Sequence, residues 1–61
     1  MQRYFSEIKK GDYFDLKQDD IRHIKTVMRM KDNDKIEVVY NKNVYLCCIE
    51  NVKENIKIKI Q

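Results

Sequence analysis

The sequence predicts a mainly β domain: a small barrel of about five strands with one α-helix. Three observations carry that reading. Ile56, Ile58 and Ile60 alternate with Lys57 and Lys59, the period of a half-buried strand. Ile21, Ile24, Val27 and Met28 fall at i, i+3, i+6 and i+7, one face of a helix. The third observation is size: 61 residues, with no Pro and one Gly, make a single domain over residues 1–61. In so short a chain, a closed or nearly closed barrel is the economical way to remove exposed strand edges, and the helix can plug an open end.

Each element follows in order. Residues 3–5 and 12–16 read as short strands, the second after the turn signal Lys10-Gly11-Asp12. Asp19 and Asp20 precede the helix, where carboxylates can cap free N–H groups and favour the positive end of the dipole. The helix is expected from about Asp20 to Met30 and to close at Lys31-Asp32-Asn33-Asp34, with Asn33 in the left-handed conformation. Lys35 to Tyr40 then alternates, with Ile36, Val38 and Tyr40 on one face. Asn41-Lys42-Asn43 suits a hairpin turn. A longer strand over 44–52 places Tyr45, Cys47 and Ile49 on one face, Glu54-Asn55 turns, and residues 56–60 end the meander.

Composition narrows the function classes. Hydrophobic residues are 43% of the chain, enough for a core despite 38% charged residues. Yet a chain of this length buries only about 60% of its unfolded surface, leaving little room for a catalytic pocket beside the core. No apolar run resembles a signal peptide or approaches the ~18 residues that span a membrane. The expected compartment is the cytoplasm, with no membrane partner. Cys47 and Cys48 are neighbours that point to opposite faces of a strand, so they should stay reduced and unbridged. With one distant His they make a poor zinc set. A single Gly excludes a Gly-rich phosphate loop.

The net charge of +3 matters less than its placement. From Ile21 to Lys31 there is no acidic residue, and Arg22, Lys25 and Arg29 recur at helical spacing opposite Ile24 and Val27–Met28, with Lys31 following and His23 on the flank. Such a basic ridge can neutralise phosphates, and Arg can also stack on an unpaired base. Amphipathic helices commonly carry a charged outer face, so charge alone does not decide. His23, the only His, has no Ser or Cys nearby in sequence and reads as a packing or hydrogen-bonding residue. Lys57 and Lys59 read as the wet side of an edge strand. Tyr4, Phe5, Tyr13 and Phe14 could stack on bases, but so small a domain needs most of its aromatics inside.

Two segments together resemble a known family. The opening Met1-Gln2-Arg3-Tyr4-Phe5 and the run His23-Ile24-Lys25-Thr26-Val27-Met28-Arg29-Met30-Lys31 are similar to the N-terminal domain of the ribosomal RNA small subunit methyltransferase E family. Asp34-Lys35-Ile36 resembles that family's turn into a strand, with Asn33 where Gly is usual, and the later alternation through Ile60 also fits. The resemblance implies a PUA-like β-barrel that binds 16S rRNA of the small ribosomal subunit. It also implies a following knotted α/β domain of the SPOUT class, which binds S-adenosylmethionine and methylates N3 of a uridine. The full enzymes are homodimers of ribosome biogenesis. With Gln61 as its last residue, this chain is expected to be the isolated, monomeric N-terminal domain, with no catalytic, cofactor-binding or metal-binding residue of its own. The expected RNA contacts are Arg3, Arg22, His23, Lys25, Arg29 and Lys31. The competing expectation is a docking module for the catalytic domain or a dimer partner, using the exposed sides of Val39, Val44 and Leu46.

Overall fold

A computed structural model describes all residues, Met1–Gln61. The strands are β1 (Arg3–Phe5), β2 (Ile8–Lys10), β3 (Tyr13–Asp15), β4 (Lys35–Tyr40), β5 (Asn43–Glu50) and β6 (Lys57–Ile60). Between β3 and β4 lies helix α1 (Gln18–Arg22), continued directly by a π-helical turn over His23–Val27. The domain is mainly β, as the alternation predicts, with six strands in one sheet of order β1-β4-β5-β6-β3-β2. β1 runs parallel to β4, and every other pairing is antiparallel.

The additional strand is β2. All three of its residues are exposed, so it has no buried face and no apolar period to announce it. It forms because Gly11, at φ +59°, turns the chain tightly enough to pair Lys10 with Tyr13. The β4–β5 hairpin turns on Asn41 and Lys42, both at positive φ, as the twist of a two-residue hairpin requires.

Registers bring the inward positions into line. Tyr4 pairs Val38, which pairs Tyr45; Ile36 pairs Cys47, which pairs Ile60; Ile49 pairs Ile58, which pairs Phe14. Their side chains meet in one cluster with Ile24 from the π turn. Phe14 packs against Tyr40 and Tyr45, with ring centroids 5.4 and 5.2 Å away. Phe5, by contrast, is 66% exposed and is not a core aromatic.

No ladder joins the edge strands β1 and β2, so the barrel the sequence predicts is nearly rather than fully closed. Ser6 spans the gap. Its N–H donates to the Val39 carbonyl at 3.0 Å. Its hydroxyl lies 2.7 Å from the Asp15 carbonyl and 2.9 Å from the Ile8 carbonyl, and accepts from the Ile8 N–H at 3.2 Å. One buried residue thereby ties β1 and β4 to β2 and β3.

The helix differs most from its predicted form. It begins at Gln18, so Asp19 and Asp20 sit in its first turn and make no side-chain cap. They still favour the positive end of the backbone dipole. The chain then widens into the π turn, where the Met28 N–H donates to the His23 carbonyl at 2.9 Å. Thr26 donates its hydroxyl to the Arg22 carbonyl at 2.8 Å, a bond that commonly accompanies a bent helix. Arg29, at φ +51°, ends the helix, and the Met30 N–H returns to the Ile24 carbonyl at 3.0 Å. Widening and early closure turn Val27 and Met28 outward, whereas the expected helical face put both inside. Ile24 and Met30 pack on the core instead. Asn33 does take positive φ, but in the following turn.

Both cysteines are free and buried, on opposite faces of β5. Cys48 is flanked in register by Lys35 and Lys59. Cys47 lies in the core, where burial, followed by the neighbouring Cys48 thiol, pushes its pKa up to about 11 from 9.0.

Two predictions follow from the packing. Ser6→Ala should cost about 1–3 kcal/mol, because it leaves inward carbonyl and N–H groups without their partner. A lower urea midpoint would register this; an unchanged midpoint would show that the bridge adds nothing net. The raised Cys47 pKa means that the folded state holds the thiol proton more tightly than the unfolded chain does. Stability is therefore intact below pH 9.0 and falls as pH rises toward about 11. The limiting slope is about 1.4 kcal/mol per pH unit. Urea melts from pH 8 to 11 should show the decline, and Cys47→Ala should flatten it. An equally steep decline in Cys47→Ala would assign the effect to other groups.

Candidate nucleic-acid interface

The helix end and the β5–β6 connection form two walls of one groove. Lys25, Arg29, Met30, Lys31 and Asp32 line one side, and Asn51, Val52, Lys53 and Glu54 line the other, of an open groove of about 820 Å³. That volume lies within the range of small-molecule sites, about 300–1,000 Å³. The only hydrophobic lining residues are Met30 and Val52, both of which pack against the core.

Hydrogen bonds to backbone N–H groups fix the two walls relative to each other. The Asp32 carboxylate accepts from the Val52 N–H at 2.8 Å. The Asn33 N–H donates to the Ile49 carbonyl at 2.7 Å, and the Ile49 N–H donates to the Asp34 carbonyl at 3.0 Å. Asp34 also accepts from the Lys31 N–H at 2.9 Å. The turn from Lys31 to Asp34 is thus laced to the end of β5.

The electrostatics favour an anion. Lys25, Arg29, Lys31 and Lys53 bring four positive charges to the lining, against the carboxylates of Asp32 and Glu54. None of the four cations has an ion-pair partner; the two ion pairs in the molecule are Arg3–Glu37 and Lys10–Asp15. Their charges are available to phosphate without breaking an internal contact.

Three of the six expected contact residues, Lys25, Arg29 and Lys31, come together here. Arg22 is exposed on α1, one turn earlier, outside the lining. Arg3 lies elsewhere, beside Glu37 on the outer sheet face, with Nε and one Nη at 3.1 and 3.0 Å from the same carboxylate oxygen. His23 faces inward, with Nδ1 2.9 Å from the Tyr4 hydroxyl and the rings edge to face. It ties the π turn to β1. Burial, and secondarily the Asp20 carboxylate, raises the pKa of Tyr4, so its hydroxyl stays protonated at neutral pH. Lys53 and Asn51 are absent from the expected set. Their connection has no periodicity, and only the fold brings it beside the helix. No three His, Cys, Asp or Glu side chains gather closely enough to hold a metal ion. No helix is long and apolar enough to cross a membrane.

A curled sheet plugged by a short helix, with a cationic groove at the helix end, defines a small β domain built to present a basic concave surface. Its family follows from the sequence: residues 16–61 match the family described as RNA methyltransferase PUA domain, and the chain belongs to it. RNA binding in a methyltransferase context is the function that membership supports. The match spans the helix, β4 to β6 and both walls of the groove; Arg3 precedes it. No match was found among curated protein sequences.

Arg29 offers a test that separates folding from charge. Its left-handed φ costs a side-chain-bearing residue about 1 kcal/mol relative to Gly. Arg29→Gly should therefore raise the melting temperature by about 4–8 °C in a domain of this size, while weakening RNA binding. A lower melting temperature would show that the Arg29 side chain supports the fold.

Proposed function

We propose that this domain holds rRNA for a bacterial S-adenosylmethionine-dependent methyltransferase that modifies N3 of a uridine in 16S rRNA. The observation that carries the RNA-binding part is the convergence of four unpaired cations, Lys25, Arg29, Lys31 and Lys53, on one groove of an RNA methyltransferase PUA domain. The finer assignment is supported by the resemblance of Met1–Phe5 and His23–Lys31 to the small subunit methyltransferase E family. In this reading a SPOUT domain carries the cofactor and the chemistry, the full enzyme is a homodimer, and the work is done in the cytoplasm during small-subunit assembly. This domain supplies position only. Arg22 extends the cationic surface, and His23 acts by fixing the helix against Tyr4.

A second reading is favoured by one observation. Phe5, Val39 and Val44 lie in register across β1, β4 and β5, with Leu46 next along the same face. Phe5, Val44 and Leu46 are exposed. This apolar strip suits docking against another protein surface.

The two readings diverge in a salt titration. Fluorescence anisotropy with a decoding-region rRNA hairpin should show affinity falling linearly in log–log form as salt rises. Lys25→Ala and Arg29→Ala should each reduce the slope by about 0.7–0.9. RNA binding that ignores salt, or no binding by a folded sample, would favour the docking reading. Self-association relieved by Leu46→Lys would add to it.

A further inference from the structure

The groove has a property that phosphate binding alone does not require: an apolar floor. Met30 and Val52 are half-buried, belong to opposite walls and both pack against the core, and the Asp32 carboxylate, accepting from the Val52 N–H, ties the two walls. A flat ridge of cations would satisfy the backbone of any nucleic acid. A concave site with an apolar floor and a cationic rim also takes a flat, weakly polar group carrying negative charge on either side. An unpaired nucleotide in a strand fits that description.

We infer that the groove seats an unpaired ribonucleotide, its base against Met30 and Val52 and its flanking phosphates on Lys25, Arg29, Lys31 and Lys53. This rests on the RNA-binding reading above. In duplex RNA the bases are stacked inside, and the molecule offers phosphates and a shallow minor groove. A duplex would bridge the rim and leave the floor unfilled. A single strand fills both. The rim cations stand on both walls, so a strand crossing the groove meets positive charge as it enters and as it leaves. The groove contains no aromatic ring. Stacking therefore falls to the planar guanidinium of Arg29 and the polarizable thioether of Met30. Asn51 adds a side-chain amide to the lining, which can present a donor and an acceptor to a base edge. The lacing of Lys31–Asp34 to β5 sets the walls before RNA arrives, so little ordering is left for binding to drive.

The test uses the 61-residue chain, a fluorescein-labelled ten-nucleotide single-stranded RNA of mixed sequence, and the same strand in a blunt duplex. The expected result is about fivefold or more tighter binding of the single strand, the low end of what a base gains on an aromatic side chain, because the groove has no aromatic ring. Val52→Thr keeps the β-branched shape and makes the floor polar. It should weaken single-strand binding about fivefold, leave duplex binding unchanged and keep the salt slope. Lys53→Gln, on the exposed loop and clear of the core, should weaken single-strand binding and lower the slope by about 0.7. Equal binding of both RNAs, or single-strand binding unaffected by both substitutions in folded protein, would overturn the groove assignment while leaving RNA binding in place. Failure of the folded chain to bind either RNA would overturn the RNA-binding reading, and this inference with it.

Discussion

The burial of Ile24 is the contact on which the rest of the molecule depends. Ten of 61 residues are buried, so no part of the core is redundant. Ile24 is the one fully buried residue contributed by the helical segment, and it belongs to the single core cluster that also takes side chains from β1, β3, β4, β5 and β6. A curled sheet of six short strands has an open inner face that water would otherwise wet. Removing a fully buried aliphatic side chain from such a core costs about 2–5 kcal/mol. That is comparable to the few kcal/mol a single small core supplies. The His23–Tyr4 bond next to Ile24 orients the same turn, so helix and sheet are joined by one apolar and one polar contact on adjacent residues.

That anchoring explains why the helix is irregular. A regular helix continuing to Met30 would place Val27 and Met28 on the inner face and carry the chain past the sheet. The π turn and the left-handed Arg29 instead stop the helix above Ile24 and fold Met30 back onto the core. π turns and left-handed residues with side chains are mildly unfavourable, and they concentrate where function needs a particular arrangement. Here the arrangement is the groove. Early closure brings Lys25, Arg29 and Lys31 against the β5–β6 connection, which a straight helix would not do.

The sequence disclosed what periodicity can carry. Ile36 and Val38, Cys47 and Ile49, and Ile58 are buried as their alternation requires, because a strand with one wet face must alternate. β2 left no trace because neither of its faces is buried. The helix end was misplaced because apolar Val27 and Met28 continued the pattern, and no residue in the run signals a π turn; Arg29 has no intrinsic preference for the left-handed region. The same limits apply at the site. The cations of the helix were legible as a run without acids. Lys53 and Asn51 become part of the groove only through the bonds that tie Asp32, Asn33 and Asp34 to Ile49 and Val52, a long-range fact with no local signature. Arg3 stands apart from the groove because the parallel β1–β4 register sets it opposite Glu37.

The number of cations also bounds what the domain can achieve alone. Four charges on an exposed rim can neutralise only a few phosphates, so RNA binding through them alone is salt-sensitive. Covalently joined to a second RNA-contacting unit, the rim adds its binding as an intramolecular step, which can raise the combined affinity by about 10²–10⁴ without any new contact. A rigid groove is what such a step needs, since the benefit disappears if the two sites cannot be engaged together. The hydrogen bonds from Asp32, Asn33 and Asp34 to the end of β5 and the following turn therefore matter beyond stability: they convert a weak cationic surface into one with a defined direction.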